Sequence, residues 1–254
     1  MRLSRTRMSA ALALPAALAL LVAPAAADAR VARTCDKLTG NVVLKTTAIK
    51  IVQRKYNTVP RRVPPNTSLG GFVGKAFYGC SLPAGKVRRI GTTGPTYLYV
   101  RGRGGRPKRD GLYSTEFSEY SNPQGTWVLE EYGTGVLGGP GEGSYTGGLV
   151  RNLATNKRYL YWNNENGPVE GSQLTTVPPV RAVLSDQGIL AGIFVDEVAG
   201  ERTVRGFNAT GRMSVFDRVA EANAAAIPSE SLGLANTTVL WKHSGETRMA
   251  EVAP

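Results

Sequence analysis

Histidine is nearly missing from this chain: His243 is the only one in 254 residues. A site of several imidazoles is therefore excluded. The only two cysteines, Cys35 and Cys80, cannot complete a tetrahedral zinc site with one distant histidine. No G-x-S-x-G elbow occurs, which removes the strand-turn-helix serine hydrolases. There is no Walker lysine. Gly133-Thr-Gly135-Val-Leu-Gly138 formally fits G-x-G-x-x-G, but Gly139, Pro140 and Gly141 forbid the helix that would hold a phosphate. Asn163-Asn-Glu165-Asn-Gly167 fails as a calcium loop because its first ligand position falls on Trp162. These absences lead to an expectation of no cofactor and no metal. Long apolar runs are lacking too. The longest, from Ala10 to Val22, has about 13 residues where a spanning helix needs about 20.

That short run has its own meaning. Arg2, Arg5 and Arg7 precede it, and Ala25, Ala26, Ala27 and Ala29 follow with two A-x-A sites. This three-part layout is that of a secretory signal peptide, assigned to residues 1–29. The body, residues 30–254, is then expected outside the cell or at its envelope, without a transmembrane segment. Two cysteines in an exported chain read as one disulfide, Cys35–Cys80. In the chain-entropy account, closing that loop stabilises the fold by about 4 kcal/mol.

Acidic residues are almost absent from one part of the body. From Arg30 to Asp110 there are 18 Lys and Arg against two acids, whereas from Gly111 to the end 10 basic residues face 16 acidic ones. The basic density peaks at Arg101, Arg103, Arg106, Lys108 and Arg109, interleaved with Gly102, Gly104, Gly105 and Pro107. Such composition reads as a flexible basic loop, 101–110. Outside a cell its partners would be anionic cell-envelope polymers or glycans, bound through counterion release, and not intracellular nucleic acid. The other reading is a solvated loop neutralised by the protein's own acidic part.

Turn residues punctuate short β-branched and aromatic runs along the whole body, which is the pattern of an all-β protein. Strands are expected at 41–47, 48–55, 71–80, 86–91, 96–101, 126–132, 144–151 and 158–162. Others are expected at 180–185, 189–195, 202–207, 212–216, 237–241 and 247–252. Gly133 to Gly148 reads as a glycine-rich loop. Asp217 to Ala225 is the one helix candidate, with Asp217 as its cap and Pro228 beyond its end. Four short strands between Val180 and Asp217 have the size of a propeller blade. Leu184-Ser-Asp-Gln-Gly188, Val204-Arg-Gly-Phe207 with Gly211-Arg212, and Ser231-Leu-Gly-Leu with Thr238-Val-Leu-Trp241 and Gly245 carry a resemblance. On these residues the last third resembles uncharacterised secreted β-propeller-like proteins of high-GC Gram-positive bacteria. The resemblance implies a degenerate array of about five imperfect blades and no established activity. A β-sandwich is the alternative.

Few residues suggest catalysis. His243, beside Ser244 and Gly245, reads as an exposed turn histidine. Paired carboxylates in a cleft would suit a carbohydrate-active hydrolase, with Glu116, Glu119, Glu130, Glu131, Asp186 and Asp196 as candidates. Glu130 and Glu131 are neighbours in a strand and so face opposite sides. Tyr159 and Tyr161 should share one strand face, with Leu160 and Trp162 on the other. The expectation is a non-enzymatic extracellular or envelope-associated binding module. A hydrolase and a structural protein without ligand are the alternatives.

Overall fold

The computed structural model describes residues 34–136, 143–164, 177–196 and 199–253. The segment expected to be a signal peptide, residues 1–29, lies outside them. Among the described residues no helix is long and apolar enough to cross a membrane. The protein is all-β, with antiparallel pairing throughout three sheets.

Eight strands follow one another in chain order in the first sheet: β1 (Asn41–Lys45), β2 (Ile49–Asn57), β3 (Ser68–Ser81), β4 (Arg88–Arg101), β5 (Pro107–Gln124), β6 (Trp127–Val136), β7 (Gly143–Asn152) and β8 (Arg158–Asn163). The second sheet holds β9 (Arg181–Leu184), β10 (Leu190–Asp196), β11 (Glu201–Phe207) and β12 (Met213–Ala220), and the third β13 (Gly233–Ala235), β14 (Thr238–His243) and β15 (Glu246–Glu251). The unit expected between Val180 and Asp217 is thus a four-stranded meander. Among the described residues the neighbouring sheets have eight and three strands, and no sheet closes on itself.

The second sheet is packed on both faces. Leu190 and Phe194 of β10 join Phe207, Trp127, Leu129, Tyr161 and Trp162 in a core against the first sheet. Ala191 and Ile193, one residue out of phase, join Val239, Trp241 and Val252 against the third. A strand buried on both faces has no polar side to show, which is why 189–195 is a continuous apolar run.

The first sheet is curled. In a flat sheet β4 and β7, three strands apart, would be separated by about 14 Å. Yet an Arg151 Nη2 on β7 donates to the Ile90 carbonyl on β4 at 3.3 Å. Arg88 likewise reaches the Ala154 carbonyl beyond β7. Ile49, Ile51, Phe77, Ile90, Val128 and Leu153 meet inside the curl. Pro95 helps to bend it. Proline has no N–H for the ladder, and β3 and β4 leave Gly94 and Pro95 outside their register, resuming at Phe72↔Thr96 and Lys75↔Thr93. The Cys35–Cys80 disulfide, spanning 45 residues, ties the segment before β1 to β3 as the cysteine count implied.

Several sequence expectations are corrected here. Residues 101–110 are not a flexible loop. Arg101 ends β4, Lys108 and Arg109 pair within β5, and only a tight reversal at Arg103–Gly105 separates them. Gly104 and Gly105 make that reversal with φ of 70° and 76°, a region open to glycine. Most of the 133–148 stretch is strand, the paired ends of β6 and β7, and only 137–142 falls outside the described residues. The helix expected from Asp217 is absent: Asp217 lies in β12, and a short 3-10 segment, Glu221–Ala226, follows. Tyr161 and Trp162 are both buried. A bulge between Gly148 and Leu149 moves the pairing from Leu160 to Trp162, which breaks strict alternation at this point.

Candidate functional site

The inner face of the curled sheet forms a groove. Its floor is built by alternation. Ser118 and Tyr120 on β5, Glu130 on β6, and Leu149 and Arg151 on β7 share that face. Glu130 and Arg151 form an ion pair at 2.7 Å with side chains only 4% and 5% exposed. Tyr120 donates to the second Glu130 oxygen at 3.3 Å, and Arg151 also donates to Asn156. Burial pushes the Glu130 carboxyl above its usual range, against the pull of Arg151. Burial likewise raises the Tyr120 phenol, with the Glu130 charge adding to it. Every polar atom of this cluster that the fold removes from water is met by a partner, as a buried ion pair requires.

Above the floor stand Thr92, Glu116, Thr134, Tyr132, Tyr145, Arg158 and Leu160, around a concavity of about 570 Å³. Thr92 donates to the Glu116 carboxylate. Tyr132 and Tyr145 meet edge to face, 6.3 Å between centroids. Leu160 is 37% exposed toward this space, although strand spacing had paired it with Trp162. A second concavity of about 360 Å³ continues the groove between Tyr56, Thr58, Phe72 and Arg89. The Arg89 guanidinium lies 4.9 Å from the Tyr56 ring centroid.

The acids named from the sequence are divided by this geometry. Glu116 and Glu130 line one groove. Glu119 and Glu131 are a directly opposed, exposed pair on the other face, as the alternation of Glu130 and Glu131 demanded. Burial and the Glu119 charge raise the Glu131 carboxyl. Asp186 lies at the exposed turn beyond β9, and Asp196 ends β10, where it accepts the Ala199 N–H at 2.9 Å. Neither belongs to the groove. Sequence spacing could not unite Glu116 with Glu130, because their strands meet only through the β5–β6 register.

His243 is not an exposed turn residue. It ends β14, and its Nδ1 lies 2.7 Å from Asp217 Oδ2, a side chain 7% exposed. Trp241 Nε1 and Arg248 donate to the same oxygen at 2.7 and 3.1 Å. Burial opposes ionisation of Asp217, but the hydrogen bonds from Trp241, His243 and the Arg218 N–H outweigh it and hold the carboxyl below its usual value. No serine or threonine hydroxyl among the described residues completes a triad with His243.

The basic residues named from the sequence come together at one place. Arg101, Arg103, Arg106, Lys108 and Arg109 are all exposed at the tip of the β4–β5 hairpin. Arg109 stacks on Tyr97 at 3.8 Å from the ring centroid. No ion pair among the described residues involves any of the five; the pairs that form lie at Glu130, Glu201, Asp217 and Glu221. Compared with known proteins, the chain matches no family model, no curated protein and no solved structure.

Proposed function

We propose that this protein is an exported, non-enzymatic module that binds an anionic polymer at or outside the cell envelope through the β4–β5 hairpin. One observation carries the reading: five exposed cations crowd one hairpin tip, and none of them forms an ion pair among the described residues. Asp110, the neighbouring carboxylate on β5, is itself exposed and forms no ion pair among the described residues. Lys108 and Arg109 point to opposite sides of β5, so the tip offers positive charge on both faces and suits a chain that wraps it. The leader-like residues 1–29 and the Cys35–Cys80 disulfide favour an oxidising, extracellular setting.

Co-sedimentation with teichoic-type polymers and acidic polysaccharides, across a salt series, tests the reading. Five contacts predict a logarithmic salt slope of about −4. Arg101→Ala, Arg103→Ala and Arg106→Ala together should reduce it to about −2. A salt-independent interaction, or one indifferent to the triple variant, would sink the proposal.

A further inference from the structure

The hairpin does not use the groove, since none of its five basic residues lines either concavity. The two concavities adjoin, sharing Ile90, Gly91, Thr92 and Glu116 in their linings, and together they make a channel in which Glu116 lines both parts. Gly91 lets the two concavities meet on a closely packed wall: a Cβ there would stand 2.5 Å from both the Ser118 hydroxyl and the Tyr120 hydroxyl. We infer that this channel, from Tyr56 and Arg89 past Glu116 to Tyr145 and Arg158, is a second, non-catalytic binding site for a linear uncharged oligosaccharide.

The lining selects that chemistry. A fatty chain is disfavoured because it would strip water from Glu116, Thr92 and Thr134 without returning hydrogen bonds. A polyanion is disfavoured because the Glu116 carboxylate lies between the two cations of the lining, Arg89 and Arg158, while Glu130 and Arg151 neutralise each other. A sugar chain meets both demands. Its hydroxyls donate to the two oxygens of Glu116 and accept from the Arg158 guanidinium. Its apolar ring faces rest on Tyr145, which is 37% exposed, and on Leu160. The continuity of two concavities suits an extended chain better than a single compact ring. Hydrolysis needs two carboxyl groups free to flank a glycosidic bond. Glu130 is held instead by Arg151 and Tyr120 and is 4% exposed, so the channel holds its ligand without cutting it.

Calorimetric titration of the purified protein with cellohexaose, chitohexaose and maltohexaose decides the matter. At least one should bind, with an affinity that high salt changes by less than about twofold. Glu116→Gln should weaken it about tenfold, the worth of a hydrogen bond to a charged group. Tyr145→Ala should weaken it about fivefold through lost stacking. Both side chains are partly exposed, and a thermal melt of each variant establishes that it is folded. The triple hairpin variant should bind the sugar unchanged, so failure of the polymer reading leaves this one standing, and the reverse. Absence of binding to all three sugars overturns the inference, as does binding that both groove variants leave intact. Shorter fragments appearing on incubation would also overturn it, by making the channel hydrolytic.

Discussion

The eight-stranded sheet and the two smaller sheets solve the same problem differently. Each must cover its faces. The β9–β12 sheet is covered by neighbours on both sides, with Leu190 and Phe194 buried against one and Ala191 and Ile193 against the other. The eight-stranded sheet covers only part of its inner face by curling, and it closes the floor with an ion pair rather than with apolar side chains. The third sheet still shows β15 to the solvent, with Met249 exposed. The larger sheet keeps a groove and an exposed basic hairpin tip, which the Val63 N–H holds through the Gly105 carbonyl. Concavities arise where a sheet is left incompletely covered, and here that is the inner face of the eight-stranded sheet.

The sharpest way to break this comparison is to remove the polar strut. Arg151→Met should cost about 4 kcal/mol in urea unfolding, because it leaves Glu130 buried and unpaired. Adding Glu130→Gln should recover much of that loss, since the uncompensated charge is then gone. If the double variant is no better than the single one, the Arg151 reach to Ile90, not the charge pair, holds the curl.

A smaller effect separates the third sheet. Asp217→Asn should cost about 2 kcal/mol near neutrality, because the charged acceptor of Trp241, His243 and Arg248 is lost. The carboxyl is held below its usual value in the fold, whereas an unfolded aspartate titrates near about 3.9. Its contribution is therefore complete above that unfolded value and disappears as the pH falls through the lower folded one. The wild type and the variant should converge in stability at strongly acidic pH. Curves that stay parallel across the series would contradict the proton linkage.

The smallest effect belongs to the hairpin. Its basic residues are exposed and form no ion pair among the described residues, so the triple alanine variant should change stability by no more than about 0.5 kcal/mol per site. A larger loss would make the tip part of the fold and weaken its case as a contact surface.

The alternation of apolar residues made most strands readable, including the continuous apolar run of β10 and the opposed faces of Glu130 and Glu131. β5 was not readable. Pro107, Gly111 and Asn122-Pro123 look like turns, and on its inner face the strand buries Ser114 and Ser118 instead of large apolar side chains. β4 was read as two pieces because Gly94 and Pro95 interrupt it, although the chain runs through them with a bend. His243 was misread because the sequence places it beside Ser244 and Gly245, while its acceptor, Asp217, lies 26 residues away on another sheet.

The amino-acid sequence by itself determined the all-β class, the even pair of cysteines, the separation of charge along the chain and the cluster of five cations. These follow from local pattern and composition, which need no knowledge of which strands meet. Only the tertiary structure decided that Glu116 and Glu130 share a groove, that Arg151 bridges β7 to β4, and that Asp217 gathers three donors. Each of those depends on the curl of a sheet or the register between strands, and both are settled by packing over the whole molecule.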